Sequence, residues 1–385
     1  MNIPKKIQEK LNNRIQNKVF RVLPSATNTI DFSSNNYLGF ATSETIFKNT
    51  HQLLIDRNLQ QNGATGSRLL SGNYELYQEV EAQLCTFHNS EAALLFNSGY
   101  DANIGFFSVV PQRGDIIFYD EFIHASIRDG IGMSNAKSYK FKHNDLSDLQ
   151  AKIQKIKQSN TTDQEIYIVT ESVFSMDGDS PDLKNLVKLS KKENAYLVVD
   201  EAHALGVFGE HGKGLLQELH LENEVFARIY TFGKALGCHG AVILGSNTLK
   251  SYLVNFSRSL IYTTGLPPHA VATIKIAYDE LSQTTAIQDL QKNIHIFKET
   301  TKNLNFIPGN AAIHCCIFSG NENVKNAAKK LQEKGFNVKP IVSPTVPKGK
   351  ERLRFCLHSY NTEAEIKAVI NTVQILQSCK TISIQ

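Results

Sequence analysis

Short apolar runs rich in β-branched and aromatic residues recur through the middle of this 385-residue chain, and the intervals between them can each hold a helix. Strands that alternate with helices require crossover connections. The pattern therefore predicts an α/β fold with a mostly parallel central sheet and helices on both of its faces. The predicted strands cover residues 92–96, 115–119, 165–170, 195–199, 227–230 and 241–244.

Polar side chains follow several of these predicted strands. In open sheets of this kind, ligands bind in the crevice outside the carboxyl ends of the strands. The residues that stand just past a predicted strand are Ser98, Ser175, Asp200 and Thr231. We therefore expect one crevice to collect them.

One lysine lies in a short glycine-bounded segment, Thr231-Phe-Gly-Lys-Ala-Leu-Gly237, and Asp200 ends an earlier apolar run, with His203 three residues later. Pyridoxal 5′-phosphate (PLP) needs an amine that forms a Schiff base and an acid that keeps its pyridine nitrogen protonated. Alone, such a lysine is usually part of a surface turn, and such an aspartate often caps a helix. Together they predict a PLP enzyme, with no requirement for a metal.

The segment Asn97-Ser-Gly-Tyr-Asp-Ala-Asn103 places Gly99 between a strand and a predicted helix. A helix N-terminus offers free N–H groups and a partial positive charge, which suit a phosphate group. Ser-Gly is also a common strand-to-helix turn, so this segment alone does not establish a phosphate site.

The pattern changes around Leu266-Pro-Pro268, where a long helical stretch runs to Leu281. Strands at 312–318 and 352–357, a helix near 324–334 and a final helix at 362–376 then predict a smaller α+β unit. The predicted organisation is an N-terminal helix and strand segment over 1–40, a large PLP-binding domain over 41–280 and a small C-terminal domain over 281–385.

Composition excludes several classes of protein. A net charge of +4 over this length is too small to indicate a nucleic-acid partner. The six cysteines show no paired spacing typical of a zinc site and are typical of reduced thiols. No run of about eighteen apolar residues predicts a membrane span. We expect a cytoplasmic protein.

Several motifs recur in one order along the chain and identify a family. They are Asp31-Phe-Ser-Ser-Asn-Asn-Tyr-Leu-Gly39, Phe96-Asn-Ser-Gly-Tyr100, His124-Ala-Ser126, Thr170-Glu-Ser-Val-Phe-Ser-Met-Asp-Gly-Asp179, Asp200-Glu-Ala-His203, Thr231-Phe-Gly-Lys234, Ile261-Tyr-Thr-Thr264, Pro344-Thr-Val-Pro347 and Arg352-Leu-Arg354. In these segments the chain resembles the α-oxoamine synthases, PLP enzymes of fold type I. Within them it is most similar to the 8-amino-7-oxononanoate synthases of biotin biosynthesis.

The resemblance implies which groups hold the cofactor phosphate. The backbone of Gly99 and Tyr100 and the hydroxyl of Thr231 would contact it. Thr264 would reach the same phosphate from the partner subunit, because the family's site is shared across a homodimer.

The resemblance also implies roles around the cofactor ring. His124 would stack on the ring and contact the substrate, while Ser175 and His203 would lie near the phenolic oxygen. Asp200 would pair with the pyridinium nitrogen. Lys234 would carry the cofactor and later remove the Cα proton of the amino acid.

Substrate contacts follow in the same way. Arg352 and Arg354 lie in one predicted strand, and we expect them to face opposite sides, with Arg354 on the amino-acid carboxylate and Arg352 in solvent. Arg21 and Asn35 would lie near the acyl substrate and the intermediate, and Thr345 would contact substrate.

The implied reaction joins L-alanine to a pimeloyl thioester, carried by CoA or an acyl carrier protein, with loss of CO₂. Some oxononanoate synthases have an arginine three residues before the position of Thr345, where this chain has Val342. Glycine C-acetyltransferase, or another oxoamine synthase with a different amino acid or acyl chain, is therefore the alternative. An aminotransferase fits the motifs less well, and a PLP-binding regulatory protein would need a DNA-binding module that no segment of the chain supplies.

Overall fold

The computed structural model describes residues 3–23, 28–159 and 164–382. The α-helices within these ranges are α1 (Lys5–Gln16), α2 (Glu44–Asp56), α3 (Glu75–His88), α4 (Gly99–Phe107), α5 (Ala125–Met133), α6 (Leu146–Ser159), α7 (Leu183–Lys192), α8 (Leu215–Glu218), α9 (Asn247–Phe256), α10 (Arg258–Ile261), α11 (Pro268–Leu281), α12 (Ala286–Thr301), α13 (Asn321–Glu333) and α14 (Glu363–Ile382). None of these described helices has both the length and the apolar character that crossing a membrane requires.

The strands are β1 (Ile30–Asp31), β2 (Ala92–Phe96), β3 (Ile116–Asp120), β4 (Lys137–Phe141), β5 (Ile166–Glu171), β6 (Tyr196–Asp200), β7 (Ala227–Thr231), β8 (Ala241–Gly245), β9 (Ile313–Ile317), β10 (Phe336–Asn337), β11 (Lys339–Ile341) and β12 (Arg352–Cys356). Seven of them form the central sheet in the order β2-β8-β7-β6-β5-β3-β4. Strand β8 is antiparallel to both of its neighbours, and the remaining neighbouring pairs are parallel. The predicted fold class is confirmed.

Both faces of the central sheet are buried, which explains the unbroken apolar runs in the sequence. Alternate residues of one strand enter two different clusters: Val198 of β6 packs in one cluster and Val199 in the other. All six predicted central strands are present, with ends that differ by at most one residue. Strand β4 was not predicted because it is an edge strand with exposed, lysine-rich residues and a single buried position.

The C-terminal part of the chain forms a three-stranded antiparallel sheet in the order β11-β12-β9. The strands and helices predicted there are present, with α14 extending beyond its predicted end. The short N-terminal strand β1 pairs in parallel with β10, so the start of the chain is tied to its C-terminal part. The division into domains at 40 and 280 stays a prediction.

The carboxyl ends of β2, β3, β5, β6 and β7 meet at one edge of the central sheet, which we call the catalytic edge. Glu171 and Asp200 are direct neighbours there, because they pair in register at the ends of β5 and β6. Thr231 ends the next strand along. This geometry brings residues far apart in sequence within reach of one ligand.

Candidate active site

Asp200 ends β6 and is buried. Asn103 of α4 donates from Nδ2 to Asp200 Oδ2 (3.1 Å), and the amide of Ala202 donates to Asp200 Oδ1 (2.9 Å). Both carboxylate oxygens are therefore held in fixed directions. A buried carboxylate held in this way is suited to stabilise a cationic nitrogen beside it.

Lys234 follows β7 and is half-buried. Burial lowers the pKa of Lys234 to about 8, against the opposing effect of the carboxylates of Asp200 and Glu171. Its Nζ makes no hydrogen bond with any residue in the described part of the chain. Near neutral pH, Lys234 therefore has a much larger unprotonated fraction than an ordinary lysine, which favours its action as a nucleophile.

The N-terminus of α4 lies beside Thr231. Ser98 caps this helix, since its Oγ accepts from the amide of Asp101 (3.1 Å). A Cβ atom on Gly99 would lie 3.2 Å from both Cβ and Oγ1 of Thr231, so glycine allows the close approach. The amides of Gly99 and Tyr100 belong to the first turn, where helices have no internal acceptors, and they can bind an anion.

His124 caps α5 at the mouth of the crevice, where its side chain is exposed. Its Nδ1 lies 2.7 Å from Ser126 Oγ, and its amide donates to Glu171 Oε1 (2.5 Å). Desolvation lowers the pKa of His124, while the charge of Asp200 raises it and that of Lys234 lowers it. The ring is therefore within electrostatic reach of both predicted catalytic groups.

His203 is buried, and its Nδ1 lies 2.7 Å from the hydroxyl of Tyr37. Burial lowers the pKa of His203 well below its ordinary value, and the charges of Lys234 and Arg354 lower it further. The imidazole is therefore neutral at neutral pH. Its Nε2 has no hydrogen-bond partner among the described residues.

Arg354 contacts two other predicted site residues. Its Nε donates to the carbonyl oxygen of Ser175 (2.7 Å), and its Nη2 donates to Asn35 Oδ1 (3.0 Å). The outer Nη1/Nη2 edge of the guanidinium keeps N–H groups that these bonds do not use, a forked arrangement that matches a carboxylate.

The expectation for Arg352 was wrong. Arg352 is buried rather than solvated, forms an ion pair with Asp177, and its Nη1 also donates to the carbonyl oxygen of Met176 (3.3 Å). Side chains alternate along a strand with a period of two, so Arg352 and Arg354 share one face and only Leu353 points to the other. Both arginines therefore hold the same turn, residues 174–179.

Four other predicted residues have exposed side chains. Arg21 is exposed in the segment after α1, and Thr345 is exposed in the loop before β12. Thr264 is also exposed, and its carbonyl oxygen accepts from Nδ2 of Asn97 of the same chain (2.7 Å). Tyr100 is exposed and donates from its hydroxyl to Asp129 (2.7 Å). The predicted roles of the Arg21, Thr345 and Thr264 side chains and of the Tyr100 backbone stay predictions.

Three residues of the site were not predicted: Asn103, Tyr37 and Glu171. Glu171 is buried beside Asp200, and its pKa is raised to about 8 by burial and by the charge of Asp200, with Lys234 opposing. Its position directly after a predicted strand is a signal that could have identified it. Asn103 and Tyr37 carry no such signal, because their roles depend on contacts with distant segments.

A second polar cluster contacts the same turn through Asp179. His143 lies 2.9 Å from Asp120 Oδ1 through Nδ1 and 2.8 Å from Asp179 Oδ2 through Nε2. Burial lowers the pKa of His143, but the hydrogen bonds to these two carboxylates outweigh it and raise the pKa to about 9. His143, Asp177 and Asp179 have the residue types of a metal site. However, a protonated imidazole cannot bind a metal, and Arg352 already pairs with Asp177.

We expect His143 to make stability depend on pH in the alkaline range. The pKa of His143 is raised from 6.5 to about 9 on folding. The resulting stability is fully present below about pH 6.5 and is lost as the pH rises through about 9. A shift of this size corresponds to about 3 kcal/mol. Urea unfolding should therefore give a higher free energy of unfolding for the wild type than for His143→Gln. This difference in free energy should be about 3 kcal/mol smaller at about pH 10 than at about pH 6. A constant difference would contradict the charged state of His143.

The catalytic edge fits PLP. Lys234 could supply an amine of lowered pKa for the aldehyde, and Asp200 could supply a held carboxylate for the ring nitrogen. The first turn of α4 beside Thr231 could bind the phosphate. His203 adds a neutral ring with one free nitrogen. These groups on a mostly parallel sheet define a PLP-dependent enzyme of fold type I.

Comparison with known proteins agrees with this class. Residues 27–373 match the family described as aminotransferase class I and II. The 8-amino-7-oxononanoate synthase of Emericella nidulans is 41% identical over 374 residues, covering 91% of this chain and 90% of that protein. The chain therefore belongs to the class I and II aminotransferase family and, within it, to the α-oxoamine synthases, which are PLP-dependent acyltransferases.

Solved structures show the same relationship. A lysine-to-alanine variant of serine palmitoyltransferase from S. paucimobilis, with a bound PLP–myriocin aldimine, has a TM-score of 0.88 at 25% identity, covering 98% of both chains. The 8-amino-7-oxononanoate synthase of Francisella tularensis has a TM-score of 0.77 at 30% identity, covering 92% of this chain and 99% of that one. The predicted family and cofactor are confirmed.

Proposed function

We propose that this enzyme condenses L-alanine with a pimeloyl thioester to give 8-amino-7-oxononanoate, CO₂ and a free thiol, as a step of biotin biosynthesis. The observation that carries the proposal is the 41% identity to an 8-amino-7-oxononanoate synthase over nearly the whole length of both proteins. In this reaction the alanine Cα bonds to the acyl carbon and the C–S bond breaks. The carboxylate then leaves as CO₂, and a proton replaces it at Cα.

PLP supplies the electron sink that makes both the deprotonation at Cα and the decarboxylation feasible. The protein's own groups direct these steps. Lys234 in its unprotonated form removes the proton from Cα, and its lowered pKa makes that form accessible at neutral pH. Asp200, held by Asn103 and by the amide of Ala202, keeps the charge on the ring nitrogen in place.

Arg354 binds the amino-acid carboxylate in this proposal. Its Nε and one Nη2 proton are committed to Ser175 and Asn35, which fixes the plane of the guanidinium. The outer edge then presents two parallel N–H groups to the carboxylate. Arg352 maintains the turn that accepts from Arg354 and does not itself bind substrate.

Replacement of Arg354 by alanine should weaken alanine binding by roughly ten- to a hundredfold, because a charge-assisted contact contributes about 1.5–3 kcal/mol. Titration of the visible absorbance of the PLP-loaded enzyme with L-alanine measures the change. Arg352→Ala is the matched control, because it removes an arginine from the same face of the same strand. It should lower the melting temperature, since Asp177 is left unpaired, and change alanine affinity little. Equal losses of affinity in the two variants would contradict the assignment.

The acyl chain is the less defined part of the proposal. Val342 offers no charge to the distal carboxylate of a pimeloyl group. We propose that Arg21 and Asn35 lie near the acyl substrate and the intermediate, and that Thr345 contacts substrate. The alternative is glycine C-acetyltransferase or another α-oxoamine synthase. The higher TM-score to a serine palmitoyltransferase than to an 8-amino-7-oxononanoate synthase favours keeping this alternative.

Release of free thiol tests the proposal directly. L-Alanine, glycine and L-serine should each be offered with pimeloyl-CoA, acetyl-CoA and palmitoyl-CoA, and pimeloyl acyl carrier protein should be included. The proposal expects the highest kcat/KM for alanine with one of the pimeloyl thioesters. A preference for glycine with acetyl-CoA, or for serine with palmitoyl-CoA, would overturn it. A cytoplasmic location stays a prediction.

We also propose a homodimer whose partner subunit supplies Thr264. Exposed apolar side chains support it: Leu70 is 83% exposed and Tyr262 is 72% exposed. Their two segments adjoin, since the amide of Gly265 donates to the carbonyl oxygen of Gly66 (2.9 Å). An apolar surface beside a site residue is typical of a subunit interface.

Sedimentation at micromolar concentration should show a dimer, and Leu70→Asp should shift it toward monomer with loss of PLP affinity. Ile375→Asp is the matched control, because Ile375 is an exposed apolar residue on α14, outside this surface. A fully active monomer would contradict the shared site.

A further inference from the structure

Tyr37 is fully buried, and its hydroxyl lies between two acceptors. It is 2.7 Å from His203 Nδ1 and 3.2 Å from Asn35 Oδ1. A phenol has one proton to donate, so the two contacts compete. The choice between them decides which nitrogen of His203 carries a proton.

Two observations favour donation to His203. The contact to Nδ1 is the shorter one and is typical of a strong hydrogen bond. Asn35 Oδ1 already accepts from the charged guanidinium of Arg354 at 3.0 Å. If Tyr37 donates to Nδ1, the proton of the neutral imidazole must be on Nε2. That nitrogen has no partner among the described residues and is therefore a donor available to a ligand.

The charge states of both residues agree with this arrangement. Burial raises the pKa of Tyr37 well above its ordinary value, so the phenol keeps its proton. Burial lowers the pKa of His203 well below its ordinary value, so the ring has a single proton. Neither group therefore changes charge at neutral pH, and the hydrogen bond between them sets the tautomer.

We propose that Tyr37 is a positioning residue that holds His203 as the Nε2–H tautomer, and that this pair is connected to Arg354 both through Asn35 and by a direct hydrogen bond between Tyr37 and the guanidinium. The series Arg354–Asn35–Tyr37–His203 then joins two places in the site. One is the guanidinium that, according to the proposed function, binds the amino-acid carboxylate. The other is the imidazole N–H, which would donate to the phenolic oxygen of bound PLP. Binding of a carboxylate at Arg354 and the hydrogen bond from His203 are therefore coupled.

The tautomer can be measured without catalysis. Full-length protein with ¹⁵N-labelled histidine, with and without PLP, should show His203 protonated at Nε2, and His203→Gln assigns the signal. In Tyr37→Phe this preference should be lost. Tyr278→Phe is the matched control, because the Tyr278 hydroxyl also meets a buried imidazole, at His88 Nε2 (2.9 Å), in a different part of the core. The control should leave His203 unchanged.

An unchanged tautomer in Tyr37→Phe, or a wild-type signal protonated at Nδ1, would overturn the positioning role. This measurement does not depend on which amino acid is the substrate. Its failure is therefore distinguishable from failure of the proposed function.

The coupling is tested in the PLP-loaded enzyme. Tyr37→Phe should shift the pH midpoint of the visible absorbance and weaken amino-acid binding about three- to tenfold, as expected for one buried hydrogen bond. In an Arg354→Ala background the same change should have little further effect on binding, because the guanidinium to which Tyr37 is connected is absent. Additive losses of affinity in the double variant would overturn the coupling.

Discussion

Replacement of Lys234 by alanine should lower kcat/KM by at least about a thousandfold, because in the proposed function this one side chain provides both the attachment of PLP and the general base. Borohydride treatment of the wild type should fix PLP to Lys234, and peptide mapping identifies the modified residue. The pKa of Lys234, lowered to about 8 by burial against the opposing carboxylates, makes the amine reactive near neutral pH. PLP attachment should therefore become faster as the pH rises toward about 8.

Lys275→Ala is the control for this experiment. Lys275 pairs with Asp279 on the surface of α11 (2.9 Å), where a lost ion pair changes stability little. Its activity and its borohydride labelling should match the wild type. A label on any lysine other than Lys234 would show that the site has been assigned to the wrong segment.

Replacement of Asp200 by asparagine should cost roughly 3 kcal/mol or more in transition-state stabilisation, which is a loss of over a hundredfold in kcat/KM. The amide removes the charge that, in the proposed function, keeps the ring nitrogen protonated, and it preserves the shape of the side chain. PLP attachment to Lys234 should therefore survive. Borohydride labelling measures this attachment, and steady-state kinetics measure the loss of turnover.

Asp115→Asn is the matched control for Asp200→Asn, because both aspartates are 7% exposed. Asp115 lies directly before β3, at the opposite end of the sheet, and accepts from the amide of Gln112 (2.7 Å). Its replacement should affect stability and leave turnover per folded enzyme close to normal. If Asp200→Asn turns over normally with PLP attached, Asp200 does not control the ring nitrogen.

The chain's strands and its reactive lysine could be predicted from sequence for physical reasons. Strands buried on both faces need apolar residues at every position, so the six central strands stand out as continuous runs. Strand β4 does not, because an exposed edge strand tolerates lysine and serine. Lys234 and Asp200 were predicted because short local patterns, a glycine-bounded lysine and an acid at a strand end, indicate their chemistry.

The contacts that orient those groups were decided by the tertiary structure. Asn103 meets Asp200 across 97 positions of sequence, and Tyr37 meets His203 across 166. The two arginines of β12 show the same limit. Strand periodicity places both on one face, but burial of Arg352 follows from its pairing with Asp177 in a turn from the central part of the chain. Sequence by itself determined the sheet and the reactive groups, because local hydrophobic pattern and residue chemistry encode them. Only the fold decided their hydrogen-bond partners, because a directional bond forms only where packing brings two distant segments within about 3 Å.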